Sequence, residues 1–196
     1  VTYLKKVSHF IDRKESYLFN KDMIILGIDP GSRFLGYAAI KVENGEMKPL
    51  DFGVLRFDPD TPLTERLESI GLGVKELFTK FKPEHLSLEK IFLGKNADSA
   101  FKMGHARGVV VYEALLAGCE VHEYATRAVK KGITGNGGAE KEHVRLVVRN
   151  MLKLGPVKSL DASDALAMAC FHATQLRVIK MKKAAKARMG KVLETA

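Results

Sequence analysis

The run Met23-Ile24-Ile25-Leu26-Gly27-Ile28 carries no polar side chain, and Asp29-Pro30-Gly31 ends it. Such a strand is apolar on both pleated faces, so it fits a sheet covered on both sides. Two more strand-like runs follow in hairpin order, Gly36 to Val42 and Pro49 to Phe57, with Glu43-Asn44-Gly45 as the turn between them. Further on, Leu63, Leu67, Ile70, Val74 and Leu77 step by three or four. That spacing predicts an amphipathic helix from Leu63 to Phe81, with Pro62 and Pro83 bounding it.

The pattern then alternates. A strand from His85 to Lys90 contains Glu89, and the polar loop Gly94-Lys95-Asn96-Ala97-Asp98 leads into a long helix ending at Leu116. Glu120 to Tyr124 reads as a fifth strand, followed by a short helix near Arg127 and the loop Gly135-Asn136-Gly137-Gly138. Helical spacing resumes from Ala139 to Leu154. A last helix, from about Asp161 to Gln175, is rich in Ala and Leu and is expected to lie buried against the sheet. The expectation is an α/β fold with a mixed five-stranded sheet and helices on both faces. A length of 196 residues suits one well-packed domain. The expected layout is a flexible extension over residues 1–22, a core over 23–176 and a basic tail over 177–196 that is frayed or disordered. Met23 is the candidate natural start.

Charge is unevenly spread. Of the formal net charge of +9, much sits in the tail, where seven Lys/Arg face one acid from Arg177 onward. Lys90 to Lys153 holds eleven Lys/Arg against six Asp/Glu, a basic segment that follows directly after Glu89. Local basic charge of this kind suits a nucleic-acid backbone, although basic tails also serve solubility alone. No apolar run approaches the roughly 20 residues that span a bilayer. No secretory signal is expected from the opening residues, and Cys119 and Cys170 stand far apart, so a reduced, cytoplasmic setting is expected.

Four carboxylates stand out by placement: Asp29 after the apolar strand, Glu89 at the end of another, and Asp161 and Asp164 at i and i+3 at a helix start. Singly, each has an ordinary explanation as a turn residue, a strand-end charge or a helix cap. Together they imply convergence, provided the two acid-ended strands are neighbours and the last helix packs on the sheet. Close carboxylates repel and raise one another's pKa. Hard divalent cations offset that cost, and Mg²⁺ prefers carboxylate, water and phosphate oxygens. Thiolate or imidazole clusters with zinc-site spacing are absent from the sequence. His143 and His172 stand isolated, and structural roles are expected for both.

The segments Gly27-Ile28-Asp29-Pro30-Gly31-Ser32-Arg33, Glu89-Lys90-Ile91-Phe92, Lys95-Asn96-Ala97-Asp98-Ser99-Ala100, Gly104-His105-Ala106-Arg107-Gly108, Ala139-Glu140-Lys141 and Asp161-Ala162-Ser163-Asp164-Ala165-Leu166-Ala167 resemble, in order and spacing, the signatures of the RuvC family of Holliday-junction resolvases. The resemblance implies a ribonuclease-H-like fold and makes Asp29, Glu89, Asp161 and Asp164 the catalytic carboxylates. They would hold two Mg²⁺ ions, with Mn²⁺ as a possible substitute. It also implies a homodimer that nicks opposed strands of four-way junction DNA, leaving 5′-phosphate and 3′-hydroxyl ends, with the RuvA–RuvB branch-migration complex as partner. Lys130 and Lys141 match family lysines near the cleaved strand. Phe92 is placed to stack on an unpaired base, or else to cover the core. Free N–H groups of the helix expected to begin at Ala139 are a further candidate phosphate contact. The stretch Val109 to Tyr112 with Leu115 and Leu116 suits the dimer or the core. Two rival functions remain at this stage: an actin-like ATPase, which needs a second domain, and a non-catalytic DNA-binding module that has kept the fold.

Overall fold

The computed structural model describes residues 22–90 and 97–194. Phe92 and the segment before Asp22 lie outside the described residues. Strands β1 (Met23–Asp29), β2 (Phe34–Glu43), β3 (Glu46–Arg56), β4 (His85–Glu89) and β5 (Glu120–Tyr124) form one sheet in the order β3-β2-β1-β4-β5. The β1–β2 and β2–β3 pairs are antiparallel, whereas β1–β4 and β4–β5 are parallel. The apolar run is therefore the middle strand, as its lack of a polar face requires. The hairpin strands reach further than the sequence pattern suggested, because the turn tightens to Asn44-Gly45, both with positive φ.

Side chains alternate across this sheet and separate two cores. Leu26, Ile28, Leu35, Ala39, Leu86 and Leu88 pack on one face against helices α1 (Leu63–Phe81) and α2 (Ala97–Leu116). Ile25, Ala38 and Ile40 face the other layer. That layer comprises α3 (Thr126–Thr134), α4 (Lys141–Met151) and α5 (Leu160–Glu194). In α1 the predicted stripe is realised by buried Ile70, Val74, Leu77 and Phe78, and Lys82 closes the helix in the left-handed region. In α5, residues 165–170 are all buried, which is why this run lacks a polar face. The helix continues beyond Gln175, to Glu194.

Two other readings are corrected. Helix α4 begins at Lys141 rather than Ala139, because Asn136 holds the preceding loop: its side-chain oxygen accepts from the Gly138 N–H at 2.9 Å and its carbonyl from the Ala139 N–H at 3.1 Å. Asp161 is not the cap of α5. The Ser159 hydroxyl accepts from the Ala162 N–H at 3.4 Å, leaving the Asp161 carboxylate for other work. Among the described residues, no helix is long and apolar enough to cross a membrane.

Candidate active site

Adjacent parallel strands β1 and β4 pair Ile28 with Leu88, so Asp29 and Glu89 leave the sheet side by side at the same edge. Both follow the alternation onto the face that α5 covers, since Ile25 and Gly27 precede Asp29 on that face. Two glycines let the helix come close. A Cβ at Gly27 would lie 2.1 Å from the Ala165 carbonyl oxygen, and one at Gly36 would lie 2.1 Å from the Asp161 carbonyl oxygen. With backbone on backbone, the first turn of α5 sits against β1 and β2. Asp161 and Asp164, one turn apart, are brought to the acid-ended strands.

The crowding is visible in the electrostatics. Burial, then the neighbouring Asp164 and Glu89 carboxylates, push the Asp29 carboxyl up from 3.8 to about 7; Lys141 opposes this and Asp161 adds to it. All four acids thus act on one point. Lys141 donates to Asp164 at 2.5 Å, a pairing that raises its own pKa. Glu89 accepts from the Thr126 hydroxyl at the start of α3. Thr126 was missed in the sequence because it reaches Glu89 only through the β4–β5 register, which pairs Glu89 with Tyr124. A cluster of carboxylate oxygens with one ammonium beside it suits hard divalent cations: the donors are oxygens, and their negative charge is under-compensated.

The expected DNA-contacting lysines divide. Lys141 lies within the acidic cluster, whereas Lys130 donates to the Ala139 carbonyl at 2.7 Å and so braces the loop before α4. The expectation that imidazoles are scattered is overturned. His85 and His122 on neighbouring strands and His172 on α5 bring one ring nitrogen each within 4.8 Å of the others. These residues are far apart in the chain, so spacing gave no signal. Burial, with His122 and His85 beside it, lowers the His172 imidazole to about 2. The stretch over Val109–Leu116 also divides, with Val110 and Ala114 in the core and Tyr112, Leu115 and Leu116 exposed.

A hairpin flanking three parallel strands, acids at the ends of two adjacent ones and an acid-bearing helix across one face define the class: a ribonuclease-H-like fold of the junction-resolvase kind. The solved Thermus thermophilus RuvC structure matches with a TM-score of 0.73 at 35% identity, covering 80% of this chain and 96% of that one. The family model described as crossover junction endodeoxyribonuclease RuvC matches residues 25–172, and this chain belongs to the RuvC family. The RuvC of Bdellovibrio bacteriovorus is 54% identical over 155 residues, 79% of this chain and 92% of that protein. T. thermophilus RuvC in complex with Holliday junction substrate is also similar, with a TM-score of 0.72, 33% identity and coverage of 80% and 96%. Family membership removes the actin-like ATPase alternative.

Proposed function

We propose that the chain is a divalent-metal-dependent endonuclease that resolves four-way DNA junctions by symmetric paired nicks, with Asp29, Glu89, Asp161 and Asp164 as its catalytic carboxylates. The observation that carries this reading is the convergence of these acids on one sheet edge, where burial and then the neighbouring carboxylates push the Asp29 carboxyl up to about 7. It stands beside the similarity to the Thermus protein solved in complex with Holliday junction substrate. The four side chains would hold two Mg²⁺ ions, with Mn²⁺ able to substitute. Bound there, such ions lower the pKa of water and stabilise the charge on a departing phosphodiester oxygen. Asp29 and Glu89 are fixed by the sheet, and the Gly27 and Gly36 contacts hold the helical pair to them, so little ligand reorganisation is needed. Lys141 pairs with Asp164, and would be free to reach a phosphate if cations took that carboxylate. Thr126 fixes the Glu89 carboxylate through its hydroxyl. Lys130 supports the α4 loop, and Phe92 is the candidate for stacking on an unpaired base at the junction centre.

The partner of the second site is a second copy. Phe101, His105, Gly108, Tyr112 and Leu115 recur on α2 at alternating steps of four and three, the spacing of a helix–helix seam. Phe101, Tyr112 and Leu115 are 71%, 60% and 63% exposed, beside an apolar groove of about 710 Å³ between α1 and α2. A homodimer packed along this seam gives one cut per copy, and the RuvA–RuvB machinery is the proposed upstream partner. The free, buried thiols of Cys119 and Cys170 fit a cytoplasmic protein.

The test is cutting of a synthetic four-way junction beside a linear duplex of the same sequence, with Mg²⁺ and with EDTA. Paired nicks confined to the junction and abolished by EDTA are expected. Equal cutting of the linear duplex, or cutting that survives EDTA, would refute the reading.

A further inference from the structure

The α5-facing side of β4 and β5 carries a second polar cluster, at the opposite end of β4 from Glu89. The register pairs His85 with Glu120 and Ser87 with His122, so alternate residues His85, Glu120, His122 and Tyr124 share one face. His172 meets them from α5. His172 and His85 are 0% and 8% exposed, and the three rings stand with centroids 4.3–4.9 Å apart.

The ring nitrogens are sorted by direction. His85 Nδ1 and His172 Nε2 point at each other, 2.6 Å apart. The opposite nitrogens face oxygen partners: His172 Nδ1 is 2.7 Å from the Tyr124 hydroxyl, and His85 Nε2 and His122 Nε2 are 3.9 and 3.0 Å from the two Glu120 oxygens. Histidines that bind metals are commonly oriented by a hydrogen bond at the outer nitrogen, as Tyr124 orients His172, and the Glu120 carboxylate lies within ion-pair distance of the other two rings. In the metal-free protein a proton lies between His85 Nδ1 and His172 Nε2; a cation that displaces it meets both lone pairs, with a His122 ring nitrogen within 4.8 Å of them.

We propose that His85, His122 and His172 form a second metal site, taking a borderline divalent ion such as Zn²⁺ or Co²⁺ through three imidazoles. Neutral nitrogen donors favour these ions over Mg²⁺, which the carboxylate edge suits instead. Nitrogens on one tetrahedral Zn²⁺ bind at about 2.0–2.1 Å from it and so stand about 3.3 Å apart; on loading the 2.6 Å pair opens and the wider separations, within 4.8 Å, close. Access is from the side of β5, which is the edge strand, past the partly exposed Glu120 and His122. The site is separate from the acidic one. His85 lies roughly 13 Å along β4 from Glu89, and His172 about 12 Å along α5 from Asp164. A metal here ties α5, which carries Asp161 and Asp164, to β4, which carries Glu89, and to β5. The metal-free alternative is a proton-ordered chain from Tyr124 through His172 and His85 to Glu120.

The experiment uses the full chain, stripped with chelator and titrated with Co²⁺, then Zn²⁺. Expected is one equivalent of Co²⁺ with the intense visible bands of low-coordinate nitrogen ligation, bleached by one equivalent of Zn²⁺. These bands persist in Asp29→Asn and are lost in His122→Phe. Zinc-edge X-ray absorption on the unmutated protein, loaded with one equivalent, needs no variant to fold and should show imidazole scattering from three rings. An all-oxygen shell, a colourless titration, or bands lost with Asp29→Asn and kept in His122→Phe would overturn the proposal in favour of the proton-ordered chain.

Discussion

Replacing Asp29 by Asn should stabilise the metal-free protein, although it destroys the proposed catalytic site. An acid whose carboxyl moves from 3.8 to about 7 on folding binds its proton more tightly in the native state. Between those values the native state holds more protons than the unfolded one, so stability falls as pH rises through about 4 to 7 and the penalty is complete above 7. At ~1.4 kcal/mol per tenfold change in proton affinity, the ceiling is roughly 4 kcal/mol. Asn keeps the shape and carries no charge, so we expect about 2–4 kcal/mol of that back at pH 8. For a domain of this size this is roughly 5–15 °C in Tm. The assay is a melting series from pH 4 to 8.5 in EDTA, with a parallel series in Mg²⁺. In EDTA the advantage of Asp29→Asn should be largest at pH 8 and nearly vanish by pH 4. Saturating Mg²⁺ at 100 times its Kd should raise the unmutated protein by about 2.7 kcal/mol and the variant by much less. A variant that melts at or below the unmutated protein at pH 8 in EDTA refutes the argument, as does an advantage independent of pH.

Gly36→Ala should slow junction cutting more than it lowers stability, because its Cβ would collide with the Asp161 backbone at 2.1 Å. We expect a loss of about 1–3 kcal/mol in the melt, and a variant that cuts normally would contradict the tight helix–sheet contact. Leu115→Glu on the α2 seam should give a folded monomer by analytical ultracentrifugation, while an unchanged dimer would move the interface elsewhere. A chain starting at Met23 should melt cooperatively and cut junctions like the full chain, since the sheet begins there with Met23 paired to Val42; loss of the cooperative melt would show that the preceding residues belong to the core.

The acidic site was legible because each of its parts is local. Asp29 closes an apolar strand, Glu89 closes another, and Asp161 and Asp164 recur at one helical turn, so chain neighbours alone reveal them. Their convergence needed one non-local fact, the parallel pairing of β1 with β4. What stayed hidden depends on register between distant segments. Thr126 reaches Glu89 across the β4–β5 pairing, and Gly27 and Gly36 are explained only by the helix lying on them. The three histidines, at positions 85, 122 and 172, meet through two strands and a helix with no shared spacing. The start of α4 was misplaced because Asn136 gives the loop backbone hydrogen bonds that compete with helix formation, an effect hydrophobic periodicity does not register.

The most direct test is single-turnover cutting of a four-way junction by Asp29→Asn, Glu89→Gln, Asp161→Asn and Asp164→Asn, each at saturating enzyme and limiting Mg²⁺, with junction affinity measured in parallel. Loss of a metal ligand should cost at least roughly 100-fold in the cutting rate. Affinity, carried mainly by cationic and backbone contacts to phosphate, should stay near that of the unmutated protein. Four variants that bind the junction and do not cut it are the predicted result. Near-normal nicking by any one of them would remove that residue from the metal site and contradict the four-carboxylate account.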